Sequence, residues 1–216
     1  MDGYQILKAK SKRLINKYNK QSFDKVSLIT ACVDKSTIRA FHYSKGYVKK
    51  YKPLSIFRVW AFNFLSDDKF HKKLNERKDF QKVRQLALKN LENFWTKIDG
   101  GKPEFYQYNK LIDLMFKFLP CWSELDKKTK DWIFVNTNVP LDTFSLNKLS
   151  ELNPELKLRK NISMNFIDGS NYKKMQSEIK SICEDIPVIV FDLLAWNDNH
   201  QPKTTFELIK LDKKHK

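Results

Sequence analysis

Along most of this chain the apolar residues recur at intervals of three and four, the period of a helix that buries one face. Windows of that kind cover residues 4–20, 53–65, 79–98, 104–119, 126–135, 142–152, 170–184 and 187–197. Several open on an acidic residue or a proline, the residues that satisfy or spare the free backbone N–H groups of a first helical turn. Between 22 and 52 the pattern weakens, and "VSLITACV" and "IRAFHYSKGYVKKYK" suit short helices or a small hairpin equally well. Polar punctuation separates the windows, with no repeat and no linker rich in Pro, Gly or Ser. The pattern predicts an all-α fold.

Composition narrows the function classes. With 216 residues, 41% of them hydrophobic and only five glycines, the chain suits one compact helical domain or two closely packed subdomains. Its 41 Lys and Arg against 25 Asp and Glu leave a net charge of +16. A basic surface of that size attracts polyanions and points to nucleic acid, although AT-rich coding also raises lysine content. Cys32, Cys121 and Cys183 are odd in number and widely spaced among apolar neighbours, as reduced packing thiols are. They are too few for an iron–sulfur cluster, and His42, His71, His200 and His215 form no spaced ligand pair, so neither metal nor cofactor is expected. The basic N-terminus lacks a signal-peptide core, and no apolar run approaches about 18 residues. A cytoplasmic protein with no membrane partner is the expectation.

Three stretches place polar residues where packing alone does not ask for them. In "IPVIVFDLLAWNDNH" the only acidic residue of an apolar run is Asp192, with Trp196 four residues on and so on the same helical face. An unpaired buried carboxylate costs several kcal/mol. It therefore either pairs with a lysine in the core or stands unpaired in a working pocket. In "YNKLIDLMFKFL" an apolar stripe of Leu111, Leu114, Met115 and Phe118 has Lys110 and Lys117 along its edge, where snorkelling is the ordinary explanation. In "TNVPLDTFSLNKL" Asp142 stands where a helix begins and suits an N-cap.

Together these stretches resemble the helix-hairpin-helix DNA glycosylase superfamily, and within it the archaeal 8-oxoguanine DNA glycosylase branch. That branch carries a nucleophilic lysine on a helix, a second lysine two turns later, and a Pro-x-Asp about 32 residues beyond the first. Lys110, Lys117 and the Asp142 of "VPLD" stand in that relation. The branch also has an Asp-x-x-x-Trp helix near its C-terminus, preceded by a helix opening on tyrosine. "NYKKMQSEIKSICEDIPVIVFDLLAWN" matches with Tyr172, Asp192 and Trp196. The likeness covers residues 104–200 and only loosely the N-terminal half.

The resemblance implies a bifunctional DNA glycosylase and abasic-site lyase of base excision repair, a monomer acting on damaged double-stranded DNA and held at the nucleoid by that binding. It implies two helical subdomains, about 53–140 with the hairpin and catalytic helix and 1–52 plus 141–216 as the second, with the site in the cleft between. The damaged nucleotide swings out of the duplex. Lys110 then attacks C1′ in its neutral form, which partial burial and the like charge of Lys117 favour. Asp142 steers the amine and stabilises the cationic sugar. Trp196 stacks on the base, an unpaired Asp192 accepts from its edge, and Lys117 and Pro140 line the pocket.

The chain departs from the family pattern in places. Leu114 stands where a second stacking aromatic is expected, which leaves the lesion open. Gly100 and Gly101 lie too far before Lys110 for a tight phosphate-holding hairpin, and the pair suits a helix C-cap as well. Phe70 and Gln21 are the candidates for an N-terminal base contact. Two alternatives remain. A non-catalytic DNA-binding helical protein shares the basic surface and needs neither Lys110 nor Asp142. A metal-dependent nuclease is suggested by Asp168 with Glu178 and Lys180 of "SEIK", but that chemistry wants a strand edge, and the segment has a helical period.

Overall fold

A computed structural model of the chain describes residues 3–33, 52–101, 103–158 and 167–200. These residues form helices joined by short turns, with no strand among them. In chain order they are α1 (Gly3–Asn19), α2 (Lys25–Cys32), α3 (Pro53–Phe64), α4 (Asp68–Glu76), α5 (Phe80–Asp99), α6 (Phe105–Phe118), α7 (Lys127–Asn136), α8 (Thr143–Leu152), α9 (Gly169–Cys183) and α10 (Ile189–His200). The all-α expectation is met. The ambiguous 22–52 region contributes helix α2, while most of "IRAFHYSKGYVKKYK" lies outside the described residues. Helix α4 falls in a stretch where the sequence pattern predicts none.

Local chemistry sets the helix ends. Asp24, Asp67, Asp79, Asp126, Asp142 and Asp168 each accept a hydrogen bond from a backbone N–H of the first turn that follows. Each such cap satisfies a donor that the helix itself leaves free. Helix α5 stops at Gly100, whose φ of 71° lies in the left-handed region, while its N–H closes on the Thr96 carbonyl at 3.0 Å. Gly100 is therefore a C-cap, the second of the two roles the sequence leaves open for it.

Two apolar clusters form the core. The first joins α2, α3, α4, α5 and α7 to one side of α6, through side chains such as Leu28, Phe57, Trp60, Phe70, Trp95 and Phe116. The second joins α1, α8, α9 and α10, and includes Leu7, Tyr18, Leu146, Ile179 and Phe191 together with Tyr106 and Cys121. Burying each such large side chain stabilises the fold by about 1.5–3 kcal/mol. Residues 28–33 belong with the first cluster, so the apolar cores divide the N-terminal segment just after α1.

Helix α6 runs between the clusters, and Tyr106, Gln107 and every residue from Asn109 to Lys117 are buried. The expected apolar stripe with lysines on its rim is thus wrong for this helix. Packed on both sides, it has no solvated edge for Lys110 or Lys117 to reach. A short clip fixes the start of α2 beside the end of α6: Phe23 donates to the Cys121 carbonyl and accepts from the Ser123 N–H, both at 2.8 Å. It is an isolated parallel bridge between Phe23 and Trp122, and of the two alternatives for 22–52 the described residues show the short helix. No described helix is long and apolar enough to cross a membrane.

Candidate functional site

Lys110 and Lys117 lie two turns apart on α6 and so face the same way. Both are buried, at 7% and 6% exposure. Opposite Lys110 stands Asp142, the N-cap of α8, with its Oδ2 3.4 Å from the ammonium. The other oxygen, Oδ1, accepts from the N–H groups of Phe144 at 2.9 Å and Ser145 at 3.0 Å. Ser145 completes the cap by accepting at its Oγ from the Asp142 N–H at 2.7 Å. The carboxylate is therefore clamped through one oxygen and offers the second to the lysine. Pro140 is buried in the same turn, and its carbonyl accepts from Ser145 Oγ at 3.4 Å.

Asp192 enters from α10 and is fully buried. Lys117 Nζ lies 2.5 Å from its Oδ2, yet neither carboxylate oxygen takes a hydrogen bond of good direction among the described residues. The sequence offered a paired or an unpaired Asp192, and the structure pairs it with Lys117. Burial pushes its carboxyl up from the ordinary range, Lys117 pulls it back, and the charges of Asp142 and Lys110 also act on it. Two lysines and two carboxyl groups thus form one electrostatic unit.

Aromatic groups surround this unit. Trp196, one turn beyond Asp192, has the Lys117 ammonium 5.6 Å from its ring centre. The Phe144 ring meets the indole edge-on at 5.1 Å and 86°. Tyr18 of α1 donates its hydroxyl to the Lys117 carbonyl. Burial, and then the neighbouring Cys121, raise the Tyr18 phenol well above its ordinary range, so it stays a donor. Phe144 and Tyr18 carried no signal in the sequence. One opens a helix and the other reads as an ordinary amphipathic position.

A second polar cluster was also missed. Arg84 of α5 donates to Asp113 at 2.7 Å and to Asn109 Oδ1 at 2.7 Å, both on α6. Tyr172 of α9 donates to the other oxygen of Asp113 at 2.7 Å and accepts from Asn138 at 2.9 Å. The Arg84 guanidinium lies 4.8 Å from the Tyr172 ring centre. Tyr172, met through the family resemblance, and Asn109 and Asp113 at i and i+4 were its only traces in the sequence.

Other expected positions fall elsewhere. Phe70 is fully buried in the first apolar cluster, which is a wall position, and Gln21 is exposed beside Cys121, 3.8 Å from its sulfur. Leu114 is core. Asp168 caps α9 through the N–H groups of Ser170 and Asn171, and Glu178 and Lys180 lie within that helix. Among the described residues no three His, Cys, Asp or Glu side chains gather as a metal's ligand set. No family model matches the chain, and no curated protein or solved structure is detectably similar to it.

Proposed function

We propose that the chain is a bifunctional DNA glycosylase and abasic-site lyase acting on an oxidised purine, 8-oxoguanine being the lesion the resemblance favours. One observation carries this reading. A buried primary amine, Lys110, lies 3.4 Å from a carboxylate whose other oxygen is fixed by a helix start. That is the pairing an amine nucleophile needs, with an oriented group beside it to take up its proton.

In this reading Lys110 transfers a proton toward Asp142 and attacks C1′ of a flipped-out nucleotide. The new C–N bond replaces the glycosidic bond, and the base leaves with the bonding pair and collects a proton. Ring opening gives a Schiff base. Loss of the C2′ proton then expels the 3′ phosphate and cuts the strand. Asp142 hands that proton on toward the departing base and, ionised again, faces the cationic sugar, an arrangement that electrostatic preorganisation in a dry site favours. Trp196 offers a ring face to the base, and the Lys117–Asp192 pair offers a donor and an acceptor at its edge. The N7–H of an oxidised guanine, absent from guanine, is a feature such an acceptor distinguishes. The net charge of +16 supports a duplex as substrate.

Borohydride trapping tests the reading. On a duplex containing 8-oxoguanine the wild-type protein is expected to form a covalent adduct that survives EDTA, and Lys110→Gln is expected to form none. An adduct that persists in Lys110→Gln moves the nucleophile elsewhere, with Lys117 the next candidate. Binding without an adduct on duplexes bearing 8-oxoguanine, uracil or an abasic site identifies a non-catalytic DNA-binding protein instead.

A further inference from the structure

Helix α1 carries no acidic residue, while Lys8, Lys10, Lys12, Arg13 and Lys17 fall within it and Lys20 just beyond. Its buried side is formed by Gly3, Leu7, Leu14 and Tyr18. At 100° per residue the exposed Lys8, Lys12 and Arg13 lie on the opposite half of the helix, with Lys17 on its flank and Lys20 just past its end. The nearby carboxylates sit at its margins and are engaged: Asp185 accepts from the Tyr4 hydroxyl at 2.9 Å, and Asp198 holds Lys10 at 3.2 Å. Among the described residues, the outward half of α1 is therefore a cationic stripe with no carboxylate on it.

We infer that this stripe is the face on which the protein seats the phosphate backbone of duplex DNA. From Lys8 to Lys17 the helix rises about 14 Å, a length over which a duplex carries roughly eight phosphates. The stripe also lies beside the candidate site. Lys10 is tied to Asp198, two residues beyond Trp196 on α10, and Tyr18 on the opposite face of α1 donates to the Lys117 carbonyl. A backbone held on α1 is thus held on the element that braces both the base-stacking ring and one of the site lysines.

A basic amphipathic helix also suits an anionic membrane surface, but that mode needs a free apolar face. Here Leu7 is fully buried and Tyr18 and Leu14 nearly so, within the second apolar cluster. Insertion into lipid would strip α1 from the core. A polyphosphate needs only the charged half, so nucleic acid is the partner the geometry favours. The choice of duplex DNA rests on the function proposed above; the choice of a polyphosphate rests on α1 alone.

The test is the salt dependence of binding to an undamaged duplex, followed by fluorescence anisotropy. Lys8→Gln, Lys12→Gln, Arg13→Gln and Lys17→Gln are combined in one variant, leaving Lys10 and its partner intact. Glutamine keeps helix propensity, and circular dichroism checks the fold. A charge-matched control combines Lys72→Gln, Lys82→Gln, Lys89→Gln and Lys97→Gln, which are exposed on α4 and α5. The α1 variant is expected to bind roughly tenfold or more weakly at moderate salt, with a log–log slope shallower by about 3–4 units. The control is expected to keep most of the wild-type slope. Equal losses in both variants, no loss in the α1 variant, or binding of anionic phosphatidylserine vesicles in preference to duplex would overturn the inference. The repair reading fails separately. If wild type forms no borohydride adduct but the α1 variant loses duplex binding, the stripe stands and the enzyme does not.

Discussion

Helix α6 carries two buried polar clusters that are built on different terms. On one side, Arg84, Asn109, Asp113, Tyr172 and Asn138 are joined by directed hydrogen bonds of 2.7–2.9 Å, and each Asp113 oxygen has its own donor. On the other, Lys110 stands off from Asp142 at 3.4 Å, and Lys117 crowds Asp192 without a well-directed bond. The first arrangement satisfies its groups and fixes α5, α6 and α9 together. The second holds charge in place but leaves bonding capacity free. A network of the first kind specifies a fold, and one of the second kind is where a ligand finds something to do.

The strongest test of that contrast is catalytic. Asp142→Asn retains an oxygen for the Phe144 and Ser145 N–H groups, and asparagine is as good an N-cap as aspartate. Stability is expected to fall by no more than about 1–2 kcal/mol, the loss of the Lys110 partner alone, while single-turnover excision falls about 10²–10⁴-fold, the usual contribution of a positioned acid–base group. A parallel collapse in melting temperature would make Asp142 a structural cap alone.

Next in size is a stability difference between the clusters. Asp113→Asn leaves Arg84 charged and buried, because a guanidinium does not give up its proton, and is expected to cost about 3–5 kcal/mol. Asp192→Asn keeps an oxygen beside Lys117, whose flexible stem can re-aim its ammonium, and is expected to cost no more than about 1–2 kcal/mol. Urea denaturation of both variants measures this, and equal costs would remove the distinction. A smaller effect concerns the ring: Trp196→Ala is expected to lower excision of the base by about 1–3 kcal/mol in activation free energy, the worth of stacking one base. Cleavage at a pre-formed abasic site, where no base is stacked, is expected to be nearly unchanged. Equal losses of both activities return Trp196 to packing.

The smallest effect is in pH dependence. Burial holds the Asp192 carboxyl above its ordinary range despite Lys117. Between about pH 4, where it titrates in the unfolded chain, and its raised folded value, the folded state keeps a proton that the unfolded state loses. Stability from this group therefore falls as pH rises through that window, and Asp192→Asn is expected to gain on wild type over it. Asp198 has the opposite sign. Partial burial pushes it up, but hydrogen bonds from Lys148 and Lys10 bring it below the ordinary range. Its contribution is present above about pH 4 and lost as pH falls through its lowered value. Asp198→Asn is expected to lose to wild type at neutral pH and match it in acid. Denaturation midpoints at several pH values check both signs.

The helices were legible because their signals are local. A carboxylate before an apolar period marks a start, as at Asp79, Asp126, Asp142 and Asp168. Helix α4 escaped because only Phe70 and Leu74 are buried on it, too few to stand out as a period. Within the candidate site, Lys110, Lys117, Asp142, Asp192 and Trp196 were each visible as a polar or aromatic residue out of place. The Lys110–Asp142 pairing came only through the family resemblance and the Lys117–Asp192 pairing was left open, since both depend on α6, α8 and α10 meeting. The Arg84 cluster was invisible for a related reason. Asn109 and Asp113 look like a solvated face until α5 and α9 are known to cover it.

The seating of α1 against α10 bears on the order in which the molecule is completed. The first apolar cluster draws on residues 28–133, so its partners leave the ribosome before α9 and α10 and close over modest loops. The second needs residues 7–18 to meet residues 189–194, and α1 must wait until the whole of the first cluster has been made before the segment it covers emerges. Contacts so distant in sequence form late and slowly. In the interval Leu7, Leu14 and Tyr18 are bare on a basic helix, a surface for chaperones to shield. The Lys117–Asp192 pair comes into being only when α10 arrives, so a nascent or truncated chain has its first core before it has a site.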